Sequence, residues 1–459
     1  MHTNLIFAGL LTLVCFNWAS VSEAAPPYED DAQIVKLLEG LGDNTAANLP
    51  FDKNNIEHTG RSSNDYSMRM AYAPERQTAI YAGGNHNDGR RNDCWEYHLG
   101  SNTWHELFRA EGGDHYFLKG IVMFRMREFE HKHKDTLSTA TLDDFRNFLN
   151  EEDRRTLEEQ IIPWWKKNVV FRDGMLTTPG GGPIMTSHTW DGLNYDPIQK
   201  RLLWSAGAGP NGECFNFHRL VNGMTAEELA KARNNSYTAM WAFDPEARKW
   251  SCYRQPKSGP CPDFRGMGQS LEFVSDQQKF IWYIAASNVS PGSFQMWSFD
   301  PARDLWAELH PNGGKSISEL VHQLKVAPDG EQVIRYSPQQ KKLYGFQSSD
   351  VFSYDIAKNE WVKVCTDNRI DAHDAQVMIS HDSINDVFIY TRKSTKEKLV
   401  RLAIFDPAKN AWETPALEGD PLPNPQYEML KGFFHPMHNV YVIVAGGWTP
   451  TWVYRYRRQ

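Results

Sequence analysis

The sequence predicts an all-β fold, a β-propeller of six four-stranded blades, with seven blades as the alternative, carrying a helical insertion. Three observations predict it. A strand ending in an aromatic, a polar turn and a Trp-led strand recur along the chain. A second apolar hairpin precedes most of these units, and two of those hairpins run into paired glycines. A repeat of this kind cannot bury its apolar faces alone, so its copies must stack on one another.

The recurring unit reads alike each time. Trp95-Glu96-Tyr97-His98-Leu99 is followed by Trp104, and Trp241-Ala242-Phe243-Asp244-Pro245 by Trp250. Trp297-Ser298-Phe299-Asp300-Pro301 is followed by Trp306, Phe352-Ser353-Tyr354-Asp355 by Trp361, and Ala403-Ile404-Phe405-Asp406-Pro407 by Trp412. Pro fixes φ and Asp caps backbone amides, so Asp-Pro ends a strand and opens a tight turn. The Trp beyond the turn supplies a large apolar surface to bury between neighbouring sheets. Upstream, Tyr72-Ala73-Pro74, Tyr195-Asp196-Pro197, Tyr336-Ser337-Pro338 and Phe434-His435-Pro436 each precede an apolar run, at 79–82, 202–206, 342–346 and 440–445. Two hairpins per unit make a four-stranded sheet, and radial repetition protects its edges.

Paired glycines after the second strand, an aromatic in the third and Trp after the next turn resemble Kelch repeats. The tract from Tyr81-Ala82-Gly83-Gly84 through Trp95 and Trp104 carries the resemblance best, while the units near Ser205, Ala285, Gln347 and Thr391 lack the glycine pair. Outside two insertions the resemblance covers roughly residues 60–459, in six units. The sixth stops at Tyr454-Arg455-Tyr456, its third strand. A closed ring therefore needs a donor strand, and the segment around 48–51 is the expected one.

The two insertions span about 105–184 and 208–237. Phe145, Leu149, Leu157 and Ile161 have helical spacing in the first. In the second, Thr225 and Glu228 read as a capping box. One insertion joins strand four to the next strand one, the other strand two to strand three. Both connections rise over the same propeller face, and loops this long in a compact domain are usually functional.

Residues 5–16 form an apolar run too short to span a bilayer, followed by Ser20-Val21-Ser22-Glu23-Ala24-Ala25. This is the layout of a signal peptide over residues 1–24, removed to leave one propeller domain over 25–459. A secreted or periplasmic location follows, with no membrane contact after cleavage. Net charge is −8, from 49 basic and 57 acidic residues, which excludes a nucleic-acid footprint. Cys252 and Cys261 bracket a loop and are either a disulfide or two isolated thiols.

Polar residues from several units are expected on the insertion-bearing face. They are Arg61, Asp65, Tyr66, His86, Asp88, Arg90 and Arg91 from the first unit, and His188, Trp190 and Asp191 from the second. Arg265 and Gln269 come from the third, Asp371, His373 and Asp374 from the fifth, and Tyr427 and Glu428 from the sixth. Arginine grips a carboxylate in two-pronged fashion, and His and Tyr can move protons. The expected ligand is a carbohydrate, acidic sugars included. His188, Arg265, Tyr66 and His373 are the catalytic candidates for a lyase or epimerase. Arg61, His86, Arg90, Trp190, Asp191, Asp374 and Tyr427 are the binding candidates, with Trp190 placed to stack on a sugar ring. A non-catalytic glycan- or protein-binding propeller is the rival reading, and on either reading a monomer is expected. The Kelch resemblance also implies the copper oxidases of the galactose oxidase type, for which Cys94 is the nearest cysteine but no motif matches. His86, His188 and His373 are suitable metal-ligand types but come from separate units, so no metal or other cofactor is assigned.

Overall fold

In a computed structural model of the protein, the described residues are 26–60, 69–82, 92–112, 119–184, 189, 191–205, 212–237, 240–253, 260–262, 269–284, 295–311, 333–347, 350–367, 377–394, 399–424, 430–444 and 449–458. Among them, six sheets of four or more strands follow one another along the chain, and a two-stranded sheet, Val170–Arg172 with Met175–Thr177, lies in the first insertion. The first holds Ala71–Ala73, Thr78–Ala82, Cys94–His98 and Thr103–Phe108. The second holds Leu193–Asp196, Arg201–Trp204, Met240–Asp244 and Lys249–Tyr253. Gln269–Val274 begins the third, Val333–Ser337 the fourth, Val377–Asp382 the fifth and Lys431–His435 the sixth. The first strand of every sheet packs against the first strands of its two neighbours, and the cycle closes from sixth back to first. The architecture is thus β-rich and propeller-like.

The sixth sheet is completed from the far end of the chain. Thr45–Asn48 pairs antiparallel with Trp452–Arg455, and Glu418–Gly419 adds a short parallel strand outside it. The donor is the N-terminal segment, three residues before the 48–51 expected.

The repeat has a common register. The third-strand aromatic faces the fourth-strand Trp in five sheets: Tyr97 and Trp104, Phe243 and Trp250, Phe299 and Trp306, Tyr354 and Trp361, Phe405 and Trp412. Their ring centroids lie 4.4 to 5.3 Å apart, the range of favourable aromatic pairs. The turn aspartates cap as their chemistry requires: Asp196, Asp244, Asp382 and Asp406 each accept from two amides of the turn that follows. Each turn then ends on a left-handed residue just before the next strand, as at Lys200, Asn359 and Asn410.

Both insertions are helical. Helices Met126–Lys132, Leu142–Phe148, Glu151–Thr156 and Ile162–Asn168 come from the first, Gly212–Asn222 and Ala226–Tyr237 from the second. They share one apolar core containing Phe145, Leu149, Leu157, Ile161, Trp165, Phe215 and Phe217. Thr225 and Glu228 close their capping box, with Glu228 N donating to Thr225 Oγ1 at 3.2 Å and Thr225 N to Glu228 Oε2 at 2.9 Å. The fourth strand of the first sheet runs on to Phe108 because Leu107 is buried against the second sheet, so the first insertion leaves the sheet after 108 rather than at 105.

Candidate functional site

Because the sheets are antiparallel, the end where each first strand begins is also the end where second strands finish and fourth strands end. Both insertions leave from that end. At its centre, the innermost strands carry charges instead of the apolar residues around them. Arg335, in the apolar run Val333-Ile334-Arg335-Tyr336, sits at the axis with 4% exposure. Its Nη1 and Nη2 donate to Asp191 Oδ2 and Oδ1, each at 2.6 Å, and its Nε donates to Ile379 O at 2.6 Å. Asp191 also accepts from the Ser270 hydroxyl, and Ile334 N donates to Ser270 Oγ at 3.2 Å.

Arg69 and Glu272 extend the network. Arg69 lies 2.8 Å from Glu272 Oε2 and 3.8 Å from Asp191 Oδ2, and donates to Leu271 O at 2.9 Å. Tyr336 N donates to Glu272 Oε1 at 3.1 Å. Two arginines thus face two carboxylates, contributed by the inner strands of four sheets or the residues leading into them. Burial alone would lower the Arg335 pKa. The adjacent Asp191 carboxylate, with Glu272, outweighs it and raises the value, so the guanidinium stays charged.

The helical unit is rooted in the first and second sheets. Asn92, fully buried, donates to Glu111 Oε2 at 3.2 Å, and its Oδ1 accepts from Glu111 N at 3.1 Å. Glu111 in turn accepts from the Thr178 hydroxyl and from Gly180 N. Trp250 Nε1 donates to Asn92 O at 3.0 Å. Both ends of the first insertion are therefore clamped to the first and second sheets. The insertions are bonded to each other through Arg127 and Glu213 at 2.6 Å, Asn216 and Glu130 at 2.6 Å, and Trp165 Nε1 donating to His218 Nδ1 at 3.0 Å.

Of the residues singled out from the sequence, Asp191 is in the described set and joins the axial network. Gln269 is buried there as well, accepting from Trp282 Nε1 at 3.0 Å. Arg61, Asp65, Tyr66, His86, Asp88, Arg90, Arg91, His188, Trp190, Arg265, Asp371, His373, Asp374, Tyr427 and Glu428 lie outside the described residues. Sequence reasoning missed Arg69, Glu272 and Arg335. Their signal was a charge embedded in a first-strand apolar run, a pattern that marks an inward-facing position. Cys94 is buried in the apolar cluster between the first and second sheets, with Ala82, Leu107 and Trp250.

The fold and site define a β-rich protein of propeller-like architecture with a helical cap at one end of its sheets. The chain matches no protein-family model, and no curated protein matches it. Among solved structures it is similar to an auxiliary nutrient binding protein from Bacteroides ovatus, at 7% identity over 89% of this chain and 76% of that one, with a TM-score of 0.45. It is also similar to a TolB-like protein from Agrobacterium tumefaciens, at 8% identity over 76% of this chain and 79% of that one, with a TM-score of 0.34. Likeness at this level says nothing about a ligand. Among the described residues, no helix is long and apolar enough to cross a membrane.

Proposed function

We propose that the six sheets are the blades of a six-bladed Kelch-like β-propeller, exported to the periplasm or the medium, which binds carbohydrate, acidic sugars included, at its capped face. One observation carries this reading: two separate insertions, from different connections of the repeat, build a single helical core at the end of the sheets from which both leave. On this reading the packed helices would roof the site and the ion-paired inner strands would form its floor. Concave sites of this kind suit ligands held by a few placed polar groups.

Binding is the preferred form of the reading over turnover. A general base must be available to a substrate proton. Asp191 and Glu272 are instead committed to Arg335 and Arg69. In an enzyme, the base would be drawn from His188, His373 or Tyr66, with Arg265 holding the carboxylate. The test is a panel of neutral and acidic glycans offered to the purified mature protein, following affinity, new double bonds and epimers together. Saturable binding without product supports the binding reading, product formation replaces it with a lyase or epimerase, and no interaction with any glycan overturns both.

A further inference from the structure

The two guanidiniums of the axial network are not equally occupied. Arg335 makes four hydrogen bonds, from Nε to Ile379 O, from Nη1 to Asp191 Oδ2 and Ile334 O, and from Nη2 to Asp191 Oδ1. That nearly exhausts the N–H groups of a guanidinium. Arg69 makes one hydrogen bond, from Nη1 to Leu271 O at 2.9 Å, and one close ion-pair contact, from Nη2 to Glu272 Oε2 at 2.8 Å. Asp191 Oδ2, at 3.8 Å, is beyond hydrogen-bond reach. The Arg69 Nε–H and an N–H on each Nη therefore have no acceptor among the described residues.

Arg69 is also the member of the network that solvent reaches most. Its side chain is 14% exposed, against 5% for Arg335 and Asp191 and 8% for Glu272. It stands just before the first strand of the first sheet, bridged to Gly432, at the end from which both insertions leave. Glu272 Oε2 is itself buried, so this spot offers a ligand N–H groups and not a carboxylate oxygen. An amine or ammonium finds no acceptor here, whereas an oxygen finds donors.

We propose that Arg69 is the axial ligand-binding residue of the capped face, and that it takes an uncharged oxygen, a sugar hydroxyl or an acetamido carbonyl, rather than a carboxylate. The assignment rests on glycan binding at that face. The choice of oxygen follows from charge. Arg69 and Arg335 are already balanced by Glu272 and Asp191 in a buried site, and a ligand carboxylate would set a third negative charge beside two positive ones. An uncharged oxygen takes the open N–H groups and leaves the balance intact, through hydrogen bonds that their charged donor strengthens. Lys431 on the sixth inner strand is turned to other partners: its Nζ lies 4.6 Å from the Tyr81 ring and 5.6 Å from the Trp104 ring, in the seam between the sixth and first sheets.

The test is calorimetric titration of the purified protein with N-acetylglucosamine oligosaccharides and with galacturonate oligosaccharides in native and carboxyl-reduced form. Arg69→Met with Glu272→Gln removes the donor, keeps Asp191 and Arg335 paired, and keeps an amide oxygen for Tyr336 N. It should weaken the neutral and carboxyl-reduced glycans by at least about tenfold, the loss of one charge-assisted hydrogen bond, while the circular dichroism of the sheets stays native. Arg69→Lys keeps a cation beside Glu272 but not the planar fan of N–H groups. It should weaken the same glycans in the same direction, and it decides the matter if the double variant fails to fold. Unchanged affinity in either folded variant, a loss confined to the carboxylate forms, or binding that vanishes on carboxyl reduction would overturn the assignment. Failure of the unaltered protein to bind any of these glycans would instead remove the reading on which it rests.

Discussion

Tyr454 donates its hydroxyl to Asn44 Oδ1 at 3.0 Å across 410 residues of sequence. Within single hairpins, Tyr97 bonds Asn102 at 2.5 Å and Tyr354 bonds Asn359 at 2.7 Å in the same way. All three asparagines are left-handed, with φ of 50° to 54°. The chain's two ends therefore rebuild the repeat's own turn without a covalent connection. Ala46 stands opposite Tyr454, where the other sheets place Trp.

Asn44→Ala should destabilise the protein by about 1–3 kcal/mol, combining the lost hydrogen bond with the loss of asparagine's tolerance for the left-handed conformation, which its short polar side chain supports and alanine's methyl does not. Asn102→Ala should cost a similar amount. Urea unfolding of both variants measures this, and a neutral Asn44→Ala would mean that the seam does not depend on the copied turn.

Removing residues up to 48 should abolish cooperative unfolding rather than merely lower the Tm. The strand Trp452–Arg455 would be left with an open edge and Ile34, Leu38 and Ala46 would be missing from two cores. Calorimetry of the truncated chain is the check, and a normal sharp transition would contradict closure by this segment.

Asp191→Asn should cost about 3–5 kcal/mol, because it strands the buried Arg335 without its two-pronged partner. Replacing both residues, as Asp191→Leu with Arg335→Met, should recover much of that loss. Thermal melts of the single and double variants separate the two outcomes.

Acid should loosen the helical cap through His218. Its Nδ1 accepts from Trp165 Nε1, and burial pushes its pKa down to about 4. The unfolded ring takes its proton near 6.5, so the stabilisation is complete above that value and is lost as pH falls to about 4. His435, pushed down to about 3 by burial and the neighbouring His438, adds the same sign of dependence at the seam. His218→Gln should shift the acid transition of the cap, read by tryptophan fluorescence, without shifting that of the seam.

Phe217→Ala should destabilise the cap by about 3–5 kcal/mol, since Phe217 packs edge-on against both Phe145 and Trp165. On the proposed function it should also weaken glycan binding while the sheets keep their native circular dichroism. Unchanged affinity would remove the cap from the site.

By itself, the sequence determined the strand–turn–Trp unit, its aspartate-capped turns, the helical insertions and the need for a donor strand. These are local matters: Asp-Pro chemistry, alternation and helical spacing act over a few residues. Tertiary structure decided where the donor sits, because at Ala46 the seam lacks the Trp that marks other fourth strands and only pairing with Trp452–Arg455 identifies it. It also decided that Asp191 pairs with Arg335, and that Arg69 and Glu272 join them. Nothing along the chain links these four residues, since each makes sense as a buried charge only once four inner strands converge on one axis. The two insertions become one cap for the same reason: their apolar faces are incomplete until they meet.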